Sequence, residues 1–440
     1  MIKLARPFTA VLMGVVAIGF SWGLLSQREL LAADDPKAGQ GGPAALPAQS
    51  DGESPAIVLS RGGPQRRGSV SGSHLPEHPA VRWTTRIASS PGEPLLADGL
   101  IYVGDSQGTL YAIRLKDGSI LWQFAGPGQI GAAPAKRGST IYFTSSNGLT
   151  ALSQEEGKVL WDCNHVANAT ESSPLIVKDR IIVADYSGKV TALDFDGNLI
   201  WQHDIAADAP PSPPGFNADR ARTTGAAARP RTAACDDTAI FQPIFDQSRI
   251  AVIDLKAGRR RWSFQAKGWI YGEPTVTDDR VFFGSQDDHL YCLDKRRKTL
   301  LWSFPTKSRI EAGVAYRDGS VFFGSCDGRF YRVNAETGKE VWSFRTPESK
   351  GASTAIYSAP LCTEDAVYFG SFDGHVYCLK IDHGDVKWRI QPVQGSEITG
   401  SPLTDGRRIV LAVRRGSKEQ GQHAIVALSE DESRKGDIEK

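Results

Sequence analysis

A tryptophan closes nearly every stretch of about forty residues in this chain. Trp83, Trp122, Trp161, Trp201, Trp262, Trp302, Trp342 and Trp388 form one series, and five of its seven intervals are 39 or 40 residues. The remaining intervals are 61 and 46 residues, and only Trp22 and Trp269 stand outside the series. A period of this length implies stacked or radially repeated small units that bury a core only together.

The inside of each unit repeats as well. A Pro stands ten residues before a Gly or Ala in Pro94/Gly104, Pro174/Ala184, Pro274/Gly284, Pro360/Gly370 and Pro402/Ala412. A tight turn follows, such as Asp105-Ser-Gln-Gly108 or Ser325-Cys-Asp-Gly328, whose glycine supplies the positive φ of a short hairpin. Then comes an alternating segment, a second turn and the Trp. Each unit therefore reads as four short antiparallel strands, and no segment shows a sustained helical period. The fold expected is all-β: an eight-bladed β-propeller of four-stranded antiparallel blades. The last unit runs out after Ile425–Leu428 without a Trp, while Trp83 has no unit before it. The N-terminal strand then closes the ring as the outer strand of blade eight, which removes an open edge.

The spacing Ala-x-Asp-x-x-x-Gly-Lys-x-x-Trp resembles the tryptophan-docking motif of quinoprotein-type propellers. It occurs as Ala192-Leu-Asp194 before Trp201, as Cys292-Leu-Asp294 before Trp302, and as Val252-Ile-Asp254 with Gly258 before Trp262. The resemblance covers residues 80–430 and implies that the eight Trp of the series pack between neighbouring blades. Enzymes of that family use pyrroloquinoline quinone with Ca²⁺ and often an adjacent Cys pair. This chain has no adjacent cysteines, and its short connections leave little room for active-site insertions. A non-enzymatic scaffold with no cofactor is expected, with a quinone-dependent dehydrogenase of alcohols or sugars as the alternative. The chain is similar to BamB-type propellers of outer-membrane assembly, which implies a protein or peptide partner in the cell envelope. It departs from them in having no Cys before Cys163.

The 51 basic and 50 acidic residues leave a net charge of +1, which argues against nucleic acid as a partner. Lys3 and Arg6 precede the apolar run Phe8–Leu25, and Ala32-Ala33 follows. Residues 1–33 read as a signal peptide, or with residues 8–25 as a tether to the inner membrane. A periplasmic or envelope location and a monomeric propeller follow. Residues 34–78 are rich in Pro, Gly, Ala and Ser and read as a disordered linker, so that removing residues 1–78 is expected to cost little. The propeller spans 79–430, with an insertion at 206–228 behind the 61-residue interval and a charged tail at 431–440.

The Asp-Gly turns at Asp327 and Asp373 lack the spaced ligands of a calcium loop and read as hairpins. Cys292 and Cys378 fall in the slot held by Ala112, Ala151 and Ala192, so they read as small core residues. Cys326 and Cys362, in neighbouring blades, are candidates for a disulfide. No Cys-x-x-Cys and no spaced His pair suggests a metal. Repeat alignment places Glu171, Tyr271, Glu311 and Tyr357 at one position, three residues before the Pro slot, with Trp269 and Arg309 close by. Equivalent residues of repeated blades lie on a circle, so these six form the candidate partner surface at the ring's mouth. The plain alternative is a water-filled funnel. The insertion, with Pro210-Pro-Ser-Pro-Pro214, is a second candidate surface.

Overall fold

The computed structural model describes residues 57–58, 61–71, 75–205, 231–347, 353–416, 422–431 and 433. These residues lie in one compact unit, Ser54–Lys440. Eight antiparallel sheets make up the unit. Blade one runs outward through Leu95–Ala97, Leu100–Gly104, Thr109–Arg114 and Ile120–Ala125. Blades two to seven repeat this order and end in outer strands that carry Trp161, Trp201, Trp262, Trp302, Trp342 and Trp388. Blade eight combines Leu403–Thr404, Ile409–Arg415 and Ala424–Glu430 with the N-terminal strand Pro79–Arg86. That last pairing sets Trp83 opposite Ala427 and closes the ring as expected.

The core is a set of layers between blades. One layer joins Phe322 and Phe330 of blade six to Val367, Phe369 and Tyr377 of blade seven, with the Phe330 and Phe369 rings stacked 4.2 Å apart. Within a blade, cross-strand register explains the small residues of the repeat. Ala112, Ala151, Ala192, Cys292 and Cys378 each face the Trp of their own outer strand. Between blades, the indole N–H reaches across the seam: Trp83 donates to the Leu115 carbonyl at 3.0 Å and Trp122 to Gln154 at 2.9 Å. In six blades the turn before the Trp carries a glycine that lies against the preceding indole; blade five has Lys298 there instead. A Cβ at Gly118, Gly157, Gly338 or Gly384 would stand 2.7 Å from the ring of Trp83, Trp122, Trp302 or Trp342.

The Asp-containing turns are closed internally. Asp327 accepts bonds from the Arg329 amide and the Tyr331 hydroxyl, and Asp373 from the His375 amide and the Tyr377 hydroxyl. These contacts account for the carboxylates as hairpin fasteners.

Two sequence expectations need correction. The Pro/Gly-rich segment assigned to a linker is in part a strap inside the ring, while its residues 34–56 lie outside the described residues. The Cys235 amide donates to Pro64 O, Val276 to Gln65 O, Tyr316 to Arg67 O and Cys362 to Gly68 O, so the strap visits blades four to seven in turn. It then passes outward, where Pro76 O accepts the Trp388 indole N–H at 2.9 Å and Glu430 caps the Glu77 amide at 2.8 Å. The strap has no apolar pattern because backbone bonds to innermost strands hold it, not a buried face of its own. The suggested Cys326–Cys362 bridge is also absent, all six cysteines being free. Cys362 is fully buried beneath the strap, whereas Cys326 faces the mouth beside Tyr357.

The apolar run at 8–25 and the insertion at 206–228 lie outside the described residues. Among the described residues, no helix is long and apolar enough to cross a membrane.

Candidate functional site

The connections from each outer strand to the next inner strand converge at one end of the ring. There Glu171, Tyr271, Glu311 and Tyr357 line a single cavity of about 240 Å³. Trp269 and Arg309 are not among the lining residues; they adjoin it through Phe245 and Glu311. Phe245, in the 3₁₀ turn Phe245–Gln247, packs 4.8 Å from the Trp269 ring and 5.6 Å from that of Tyr271. Both outer rings stay well exposed, Trp269 at 40% and Tyr271 at 39%, among the most exposed large aromatics described.

Ion pairs and hydrogen bonds fix the polar members. The Arg231 guanidinium lies 3.9 Å over the Tyr271 ring and 4.8 Å over Phe245, and it pairs with Glu171. Glu171 also accepts the Tyr186 hydroxyl. Glu311 accepts Gln286 Nε2 at 2.7 Å and pairs with Arg309 at 3.3 Å. Tyr357 packs against Phe372 at 5.4 Å, and burial together with the adjacent Cys326 thiol pushes its hydroxyl up to about 12. Burial likewise raises the Cys326 thiol to about 11, which keeps it protonated and unreactive at neutral pH. The site thus offers exposed aromatic faces held by a cation–π contact, with fixed charges of both signs around them.

Deeper in the funnel lie residues that the sequence reading did not single out. Glu93 and Glu273 immediately precede Pro94 and Pro274, the Pro slots of blades one and five. Those blades are opposite each other in an eight-membered ring, and both glutamates line the cavity. Arg61 of the strap enters from below, pairs with Glu273 at 3.3 Å and donates to the Val314 carbonyl. Gly313 leaves the room that the Arg61 side chain occupies. Glu93 accepts the Ser401 amide at 3.2 Å. Burial, with the neighbouring Glu273 charge, raises its carboxyl to about 7 against the pull of Ser401 N–H, Arg414 and Arg61. The alignment that found Tyr271 and Glu311 would have found this pair one slot before the Pro. Arg61 and Arg231 carried no repeat signal, since one comes from the strap and the other follows the insertion.

Comparison with known proteins gives a consistent picture. The family model described as outer membrane protein assembly factor BamB matches residues 67–232 and 246–434. A curated relative of that name from Yersinia pestis is 24% identical over 226 residues, covering 48% of this chain and 53% of its own length. One from Xanthomonas campestris is 31% identical over 143 residues, covering 29% of this chain and 33% of its own. The chain thus spans about half or less of the length of these relatives. Among solved structures, BamB from Moraxella catarrhalis superposes with a TM-score of 0.60 at 20% identity, covering 80% of this chain and 99% of that one. A europium-containing methanol dehydrogenase superposes with a TM-score of 0.67 at 15% identity, covering 84% and 97%. At such identities both structures speak to the fold alone.

Proposed function

Because this chain belongs to the outer membrane protein assembly factor BamB family, we propose that it is a non-enzymatic propeller that holds a protein partner in the cell envelope, in the assembly of outer-membrane proteins. The observation that carries this reading is the exposed aromatic cluster at the mouth. Trp269 and Tyr271 remain in solvent although Phe245 and Arg231 hold them rigidly. Aromatic and arginine side chains on a rigid support are the types that dominate binding energy at protein interfaces. Rigid loops on a closed ring also bind without first being ordered. Glu171, Arg309, Glu311 and Tyr357 complete the contact surface by this reading. The propeller itself acts as a monomer, exported to the periplasm, with residues 8–25 serving as signal or tether.

The fit to a quinone cofactor is poor. Arg61 lines the funnel cavity, bonded to Glu273 and to the Val314 carbonyl of the neighbouring blade. Among the described residues no group of three His, Cys, Asp or Glu is placed to hold a metal ion. The dehydrogenase reading therefore rests on a shared fold only.

Crosslinking and recovery of the tagged full-length chain from envelope fractions tests the proposal. The triple change Tyr271→Ala, Glu311→Ala and Tyr357→Ala is expected to leave the fold intact and to reduce partner recovery severalfold. Recovery equal to wild type would move the site away from the mouth. Purified protein mixed with pyrroloquinoline quinone and Ca²⁺ is expected to show no alcohol- or sugar-dependent dye reduction. Turnover in that assay would overturn the scaffold reading.

A further inference from the structure

Seven of the eight series tryptophans donate their indole N–H to a backbone carbonyl across the seam they face. Trp262, at the seam between blades four and five, has no such acceptor among the described residues. The cause lies in the turn that faces it. Where Gly118, Gly157, Gly197, Gly258, Gly338 and Gly384 stand four residues before their own Trp, blade five has Lys298 before Trp302. Lys298 keeps the left-handed backbone of the glycines, with φ at +60°. The turn's own bonds are also kept: the Lys298 amide donates to Asp294 O at 2.8 Å and the Lys295 amide to Asp279 O at 2.9 Å, matching Gly118 and Leu115 of blade one. What differs is the Cβ. At the equivalent glycines it would stand 2.4–3.1 Å from the indole, too close for the turn and the ring to pack as they do in the other seams.

This seam holds a cleft of about 400 Å³, lined by Trp262, Phe241, Thr238, Gln65 and the ion pair Asp236–Lys295, which is 2.6 Å long. It lies at the end of the blade opposite the mouth, among the turns between inner and second strands. The filled seams define what fits it. They present a carbonyl to the indole N–H and a glycine Cα to the indole face, with the carbonyl three residues ahead of the glycine in five of six cases. We propose that the seam between blades four and five is a docking site for a glycine-containing turn of a partner protein, seated as the chain's own turns are seated in the other seams. Lys298 keeps the place vacant from within. The partner's glycine, free of a Cβ and carried on another chain, supplies both missing contacts without moving the blade-five turn.

The test uses ¹⁵N-labelled full-length protein, with the Trp262 indole resonance assigned by its loss in Trp262→Phe. The probe is a synthetic peptide copying residues 113–120, Ile-Arg-Leu-Lys-Asp-Gly-Ser-Ile. Saturable movement of the Trp262 resonance is expected. The same peptide carrying Gly118→Ala is expected to bind at least about fivefold more weakly, because alanine resists the left-handed backbone and meets the ring. In the protein, Lys298→Gly lets the seam close on itself. Its Trp262 resonance should move to the docked range, peptide binding should vanish, and the midpoint of unfolding should rise by about 2 °C. Trp262→Phe, which keeps the aromatic face but has no N–H, should weaken binding at unchanged fold, read from the backbone amide resonances of Thr238 and Lys295 in the cleft. An unmoved Trp262 resonance, equal affinity for the alanine peptide, or wild-type affinity in Lys298→Gly or Trp262→Phe would overturn the proposal. The mouth variants leave this cleft untouched, so the two sites fail or stand separately.

Discussion

Single contacts at the seams set the stability of the ring, because each half-buried indole is shared by two blades. Trp83 is the sharpest case: it packs against the apolar cluster shared by blades eight and one, and its N–H is bonded to Leu115 O. Trp83→Ala is expected to cost about 3–5 kcal/mol in urea unfolding. Glycine contacts can be separated from glycine backbone strain within one blade. Gly118 and Gly99 have nearly equal φ, +76° and +72°, but only Gly118 lies under an indole. Gly118→Ala should therefore destabilise by about 1–3 kcal/mol more than Gly99→Ala, the usual range for overpacking. A third residue responds to pH. Glu93 holds its proton up to about 7 in the folded funnel, against about 4.5 for an ordinary glutamate. The folded state then binds the Glu93 proton more tightly between those two values, so the contribution of Glu93 to stability is fully present below 4.5 and is lost as pH rises toward 7. Denaturation midpoints measured across that window should show this slope, and Glu93→Gln should flatten it.

At the scale of strands and turns, the blade was legible because its chemistry recurs. The Trp interval, most of the Gly turns and the small residue opposite most of the Trp appear in copy after copy, and the register pairs Ala112 with Trp122 as it pairs Cys292 with Trp302, Val252 and Arg332 being the larger exceptions. Closure by residues 79–86 was legible from a missing Trp at one end and a spare one at the other. The strap was not, since Arg61–Ser71 has neither period nor apolar pattern and is held by main-chain bonds to four blades. Composition describes side chains, and here the backbone does the holding. The mouth was half legible: Tyr271, Glu311 and Tyr357 share a repeat slot, while Arg231 and Phe245 that brace them belong to no repeat. The strap yields its own prediction. Deleting residues 1–71 should lower the unfolding midpoint in thermal melts by several degrees, whereas a linker would be removable without effect. Arg66, fully buried in the strap, marks how much of that segment is interior.

For the molecule as a whole, eight blades that pack only on neighbours would form an open stack were it not for one sheet drawn from both ends of the chain. Trp83 and Ala427, 344 residues apart, are partners in that sheet. Joining so distant a pair costs loop entropy that no local contact offsets, and such pairings form late. The first strand of the ring to be synthesised is thus the last to find its partner. A chain that enters its compartment N-terminus first must keep 79–86 unpaired until residue 430 has followed. Through that interval its edge is open to any other strand, a hazard that aggregation-prone intermediates share. Refolding experiments should show blade-specific signals early and a slow final phase reported by Trp83, a phase that disappears in a permuted chain where residues 79–86 follow residue 430 directly. The seam that makes the ring permanent is also the one that leaves it, for the whole of its synthesis, unfinished.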